Sequence, residues 1–251
     1  MLLAQAGLGA TVCHLSLIQR RTMATTSTAS SLPIAITMGD PAGVGPEILA
    51  RTLLDGDKNA DARDKKTETE HIRWILVGTK WALEKGAATL SRALPPLHHI
   101  AAPDEAIPGW NLLDLGIPEP EDFRLGNVQS ACGELAVKAV EWAATRCLQR
   151  ELAAMVTAPI NKEAIHAAGY VNDIGHQEIL ARLAGVSQTA TMLMTPGLRV
   201  VHLSTHKSLA KAVEFVTVEQ VLGKLHLIHD TLTQWGLVQP RIAVAALNPH
   251  G

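Results

Sequence analysis

Short apolar bursts and stretches of helical spacing take turns along this chain, and their alternation is its first structural signal. Ile34, Ala35, Ile36, Thr37 and Met38 follow Pro33 as a compact run and lead into a glycine-rich turn, which predicts a strand entering a loop. Pro46 then stands in the first turn of a predicted helix, with Glu47 near its positive end and Ile48, Leu49, Leu53 and Leu54 as its apolar positions. The charged stretch 55–70 predicts an exposed connection, and residues 74–77 a buried strand. Residues 95–123 are rich in proline and poor in helical repeats, so an irregular crossing between two lobes is expected there. Leu135, Ala136, Ala139, Val140, Ala143 and Cys147 mark a helix, residues 153–157 a short strand, and 161–168 and 177–184 two helices closed by Gly169 and Gly185. Residues 198–204 and 241–247 read as strands. Between them Val218, Val221, Leu222, Leu225, Ile228, Leu232 and Trp235 trace one helical face.

Strands that alternate with helices of this length imply crossover connections, hence an α/β fold with a largely parallel sheet covered on both sides. The expected division is a first lobe over 32–125 and a second over 126–251. Residues 1–31 are left outside the fold: they carry Arg20 and Arg21, many Ser and Thr, and no acidic residue precedes Asp40. That is loosely like a transit peptide, but the charges lie behind the apolar stretch, the wrong order for a secretory signal. A disordered tail, or a start at Met23, is the expectation.

Composition narrows the function class. In 251 residues, 47% hydrophobic content supports a substantial core, and a formal net charge of -2 supplies no basic face for nucleic acid or an anionic membrane. A small-molecule partner is favoured. Cys13, Cys132 and Cys147 show no paired metal-ligand spacing, and no run of about eighteen apolar residues occurs, so a reducing cytoplasm is the expected setting.

In open α/β sheets ligands gather beyond the carboxyl ends of strands. There the chain places Gly39-Asp40-Pro41-Ala42-Gly43-Val44-Gly45-Pro46-Glu47, Thr157-Ala158-Pro159-Ile160-Asn161-Lys162-Glu163, Ser204-Thr205-His206-Lys207 and Asn248-Pro249-His250. The glycine loop reads either as an anion cradle or as a tight strand-to-helix turn, and it matches neither dinucleotide nor P-loop fingerprints. His206 and His250 each follow a β-rich run, so neighbouring strands can pair their imidazoles as metal ligands; singly, each is an ordinary rim residue. His176, just before a helix, can meet a substrate oxygen or simply cap the helix. Asn161 and Lys162 can bind a phosphate or carboxylate, or simply start a helix. His226 and His229 flank a core stripe and read as surface residues, and Cys132 and Cys147 as packing residues.

Taken together, the segments Ile34 to Glu47, Thr157 to Glu163, Gly175-His176-Gln177-Glu178, Ser204-Thr205-His206 and Leu247-Asn248-Pro249-His250 resemble the 4-hydroxythreonine-4-phosphate dehydrogenase family of vitamin B6 biosynthesis and its catabolic relatives. The resemblance implies an isocitrate/isopropylmalate dehydrogenase-like two-lobed fold. It also implies NAD- or NADP-linked oxidation, with decarboxylation, of a phosphorylated hydroxy acid: 4-hydroxythreonine 4-phosphate, or D-threonate or D-erythronate 4-phosphate. By the same resemblance His206 and His250 bind a divalent metal (zinc, magnesium, manganese or cobalt), which would lower the alcohol pKa and stabilise the enolate. His176 meets the substrate, and Gln177 stands where the family has threonine; Asn161 and Lys162 join them as candidate substrate contacts on their own chemistry. The family's third metal histidine comes from the partner subunit of a homodimer, in a Y-H-D-Q-G segment that this chain lacks; Gly251 stands where an A-G-E-x-G continuation would begin. The expectation is therefore a truncated chain with an open half-site, the alternative a non-catalytic remnant that binds a phosphorylated acid or metal weakly. Catalytic and cofactor-binding residues stay unassigned. An acyltransferase of related fold is a further possibility, although it gives the two histidines no role.

Overall fold

A computed structural model of the chain describes residues 2–6, 10–14, 32–55, 72–173, 175–205 and 207–250. The expected exposed connection after Asp55 lies outside the described residues. Nine strands are described: β1 (Leu2–Ala6), β2 (Ala10–His14), β3 (Ile34–Thr37), β4 (Arg73–Gly78), β5 (His98–Ile100), β6 (Gly109–Asp114), β7 (Ala154–Thr157), β8 (Ala190–Thr195) and β9 (Leu198–Val201). They form one sheet in the order β5-β6-β4-β3-β7-β2-β1-β8-β9. From β5 to β7 every ladder is parallel, as is β1 with β8; β1 with β2, β2 with β7 and β8 with β9 are antiparallel. The helices are α1 (Gly45–Asp55), α2 (Lys80–Thr89), α3 (Ser130–Leu148), α4 (Lys162–Ala167), α5 (His176–Ala184), α6 (Leu209–Glu214) and α7 (Val218–Gln234).

Successive strand residues point to opposite faces, so the parallel strands feed two cores at once. On one face Ala35, Ile75, Val77 and Met155 meet Val137, Val140 and Ala143 of α3, with Ile165 and Ile179 from α4 and α5. On the other, Met38, Leu76 and Leu112 meet Leu49 and Leu53 of α1 and Ala82 and Leu83 of α2. The α/β expectation holds, and the α3 face is the one the sequence traced. The first of these cores draws on residues from both sides of position 125. Close backbone approach adds to this packing: a Cβ on Gly133 of α3 would run into the Ala164 carbonyl of α4.

Four expectations are corrected. Residues 1–31 were to lie outside the fold, yet β1 and β2 stand in the sheet between β7 and β8; a ladder is bonded through backbone groups and needs no side-chain signature. The stretch 95–123 is no mere crossing, since it contains β5 and β6. Buried Asn111 hides the apolar run of β6, and its amide is satisfied by the carbonyls of Trp74 and Ile107 and by the Ile107 N–H, at 2.9 to 3.0 Å. The strand expected over 198–204 ends at Val201 and pairs antiparallel with β8 across the Pro196-Gly197 turn. Residues 241–246 form no strand, and Val244 and Leu247 are exposed, because an apolar run becomes a strand only where it finds a ladder partner.

α7 closes a third, smaller core by packing Ile228 and Leu232 on Ala190 and Met192 of β8. Its first turns carry the same apolar stripe but leave it open, with Val218 84% and Leu222 50% exposed. Among the described residues, no helix is long and apolar enough to cross a membrane.

Candidate functional site

The carboxyl ends of β3 and β7 are neighbours in register, Thr37 opposite Thr157, and the loops that leave them are sewn together. Ala158 N–H donates to the Thr37 carbonyl and Asp40 N–H to the Pro159 carbonyl, both at 3.0 Å. This seam explains the glycines. Gly39 has φ +73°, a conformation that costs any residue with a Cβ, and its Cβ would also strike the Pro159 carbonyl. A Cβ on Gly45 would strike the Met38 carbonyl. The loop's own amides are engaged as well: Ala42 N–H donates to Asp40 Oδ1 at 2.9 Å and Gly43 N–H to the Asp40 carbonyl at 3.0 Å. With the N–H groups of 40, 42 and 43 taken, this part of the loop is a packed turn.

Asp40 is buried behind this turn, and desolvation raises its carboxyl pKa against the opposing Ala42 hydrogen bond. Cys132 lies beside it. Burial first, and then the Asp40 carboxylate, push its thiol up to about 11, while burial alone takes Cys147 to about 12. Both are inert packing thiols, as their spacing suggested.

His176 opens α5 directly above the β7 exit. Its imidazole donates to the Ala158 carbonyl, while Nε2 is enclosed and has no hydrogen-bond partner among the described residues. A neutral imidazole has one donor and one acceptor nitrogen, so Nε2 presents a bare lone pair. Burial lowers the pKa to about 4 against the opposing Ala158 bond, and the ring is neutral near pH 7. The linkage follows in sign: the unfolded chain takes up this proton below about pH 6.5 and the folded chain only below about 4, so stability falls as pH drops through that window. The loss is on the order of 3 kcal/mol at most. In urea unfolding at pH 7 and pH 4.5, His176→Gln is expected to shrink the difference seen with the unaltered chain; an undiminished difference would show that the imidazole is not held neutral.

Lys162 and Glu178 approach the glycine that precedes His176: Lys162 Cε lies 3.9 Å, and Glu178 Oε2 3.6 Å, from where a Cβ on Gly175 would stand, so a cation and a carboxylate stand one residue ahead of the neutral imidazole. Asn161 is the N-cap of α4: its Oδ1 accepts from Glu163 N–H at 2.9 Å and Ala164 N–H at 3.1 Å, the helix-starting role its position allowed. Gln177 is also occupied. Its Nε2 donates to Thr189 Oγ1 at 2.8 Å and its Oε1 accepts from Thr191 Oγ1 at 3.0 Å, which ties α5 to β8. Of the four expected substrate contacts, His176 and Lys162 keep their polar ends free of such ties.

The metal pair fares differently. His206 lies outside the described residues. His250 is exposed in a turn where its N–H donates to Asn248 Oδ1 at 2.9 Å, with no strand before it. Among the described residues no three His, Cys, Asp or Glu side chains stand close enough to hold a metal ion, so they do not fit one by themselves. His226 and His229 are exposed, as expected. A cleft of about 590 Å³ lies at the opposite, amino-terminal edge of the sheet, between Arg73, Asp104, Arg146 and Glu151, away from this chemistry.

One set of residues around His176 went unread in the sequence. Asp173, three residues ahead of it, is 6% exposed at its side chain and is gripped by Arg182 through Nη2 to Oδ2 at 2.7 Å and Nε to Oδ1 at 3.2 Å. Arg182 Nη2 also reaches Glu141 Oε1 of α3 at 2.9 Å. A spacing of nine residues across a loop and a helix start gives no periodic signal. An isolated aspartate just before a helix was the available hint.

Comparison with known proteins gives a consistent answer. Residues 70–251 match the family model described as pyridoxal phosphate biosynthetic protein PdxA. A D-threonate 4-phosphate dehydrogenase of Pectobacterium atrosepticum is 34% identical over 220 residues, which cover 86% of this chain and 64% of that protein. A 4-hydroxythreonine-4-phosphate dehydrogenase of Geobacter metallireducens is 36% identical over 222 residues, 86% of this chain and 61% of that one. The crystal structure of a 4-hydroxythreonine-4-phosphate dehydrogenase from Klebsiella pneumoniae matches with a TM-score of 0.74 at 34% identity, over 89% of this chain and 65% of that chain. The chain thus spans a little under two thirds of the length of these relatives.

Proposed function

The chain belongs to the PdxA family, and from that premise we propose that it contributes to the NAD-linked oxidation of a phosphorylated hydroxy acid, which it binds through Lys162 and His176. The observation that carries the reading is the enclosed Nε2 of His176, without a hydrogen-bond partner among the described residues and one residue after a glycine that Lys162 approaches, beyond the carboxyl end of a parallel strand. Lys162 supplies the positive charge for a phosphate or carboxylate. His176 Nε2 accepts a hydrogen bond from the substrate hydroxyl and so orients the carbon that is to lose hydride. With a pKa of about 4, roughly three units below neutral pH, the imidazole is too weak a base to be matched to proton removal, so its role is orientation. NAD, when bound, accepts the hydride.

A divalent metal, if held by His206 and His250, would lower the pKa of the substrate hydroxyl; His206 lies outside the described residues, and among these no three His, Cys, Asp or Glu side chains stand close enough to hold one. The expected pair of His206 and His250 would need further ligands, and a second copy of the chain is part of the same proposal. The uncovered apolar residues Leu209 and Val218 on α6 and α7 support such association. The second reading is binding of the same acid at His176 and Lys162 without turnover.

The experiment is to incubate the purified chain with NAD and, in turn, D-threonate 4-phosphate, D-erythronate 4-phosphate and 4-hydroxythreonine 4-phosphate, following NADH absorbance and, in parallel, heat on titration. NADH formation with at least one acid is the expected result. Heat without NADH would establish the second reading, and neither heat nor NADH with any of the three would overturn both.

A further inference from the structure

We propose that Arg182 is a positioning residue for His176: by tying Asp173 to Glu141 it fixes the loop that delivers the imidazole to the site. The inference rests on the reading of His176 as the substrate-facing group.

The geometry is a fork on a fork. Two guanidinium nitrogens of Arg182 meet the two carboxylate oxygens of Asp173 at 3.2 and 2.7 Å, a bidentate pairing that fixes orientation as well as distance. The three partners sit on separate pieces of the molecule. Glu141 is on α3, whose opposite face builds the core; Arg182 is on α5, beside buried Ile179 and Leu180; Asp173 is in the connection from α4. In that connection Tyr170 packs against the core and donates its N–H to the Ile165 carbonyl, and Asp173 N–H donates to the Tyr170 carbonyl; the described hydrogen bonds of the segment are otherwise local.

The burial pattern gives the clamp its leverage. The Asp173 side chain is enclosed while those of Arg182 and Glu141 are 45% and 31% exposed, so the carboxylate is the member that cannot lose its partner cheaply. Without the guanidinium it would move out to water. Gly175, with no side chain to anchor it, would follow, and His176 would swing from the Ala158 carbonyl. A purely structural ion pair would cost stability when removed, but it would leave the environment of the imidazole unchanged.

His176 itself is therefore the reporter, read without substrate. In the unaltered chain its imidazole resonance, identified by its loss in His176→Gln, is expected to titrate near 4 by NMR. Arg182→Met, which keeps the aliphatic stem, is expected to raise that midpoint by about two pH units toward the ordinary 6.5, and Arg182→Lys to restore part of the depression. Lys162 and Glu178, the charged groups beside Gly175, are unchanged in both variants. Glu141→Gln removes only the half-exposed anchor and reads the same quantity if Arg182→Met does not fold; a smaller rise is expected. A midpoint near 6.5 in the unaltered chain would overturn the site reading itself. A low midpoint that neither Arg182→Met nor, where that variant does not fold, Glu141→Gln raises would overturn the clamp alone.

Discussion

Gly39→Ala is expected to destabilise the chain by roughly 2–5 kcal/mol, a large part of what holds a typical domain together. Two costs combine. The left-handed φ of +73° costs a residue with a Cβ about 1–2 kcal/mol, and forcing a methyl against the Pro159 carbonyl adds about 1–3 kcal/mol of overpacking. The second cost falls on the seam between the β3 and β7 exits, so the damage reaches Ala158 and, through it, His176. Gly43→Ala in the same loop is the control. Its Cβ would have Asp40 backbone oxygen at 3.4 Å as its nearest neighbour and its φ is not left-handed, so a change within about 1 kcal/mol is expected. Urea unfolding of both variants separates the readings. Equal losses at the two glycines would refute the seam, and weakened ligand binding by Gly43→Ala at unchanged stability would restore the anion cradle.

His176→Ala is expected to weaken binding of the phosphorylated acid about tenfold, the order of one hydrogen bond lost in an enclosed site. His176→Gln, whose longer side chain can bring its amide oxygen to the place of Nε2, is expected to retain part of that affinity. With burial holding the His176 pKa down to about 4, affinity attributable to it is expected to be level between about pH 5 and 8, with no inflection near 6.5. Calorimetric titration of D-threonate 4-phosphate across that range checks both statements. Affinity of His176→Ala within twofold of the unaltered chain would remove the residue from the site. An inflection near 6.5 that disappears in the variant would instead make it a titrating acid or base.

Much of the architecture could be read from periodicity. The helical stripe from Leu135 to Cys147 is the buried face of α3, and the compact runs at 34–38 and 74–77 lie in β3 and β4 because strands covered on both faces are apolar throughout. Where a polar residue interrupts such a run, as Asn111 does in β6, pattern fails: whether the amide is tolerable depends on the Trp74 and Ile107 carbonyls, which no local window contains. The same limit explains residues 241–246, strand-like in composition but unpaired among the described residues.

The site divides along the same line. The five motif segments were enough to place the chain in its family, because such motifs carry chemistry in their residue types and order. They could not say which side chains are already engaged. Asn161 caps α4 and Gln177 is bound at both ends by Thr189 and Thr191, whereas His176 keeps Nε2 free. Those distinctions, like the clamp of Asp173 by Arg182 and Glu141, rest on hydrogen bonds between residues far apart in the chain. Periodicity and motif report what a segment can become, since they reflect local backbone preference and side-chain chemistry. Desolvation and partnership, which set the pKa of His176 and the packing at Gly39, exist only once distant segments have been brought together.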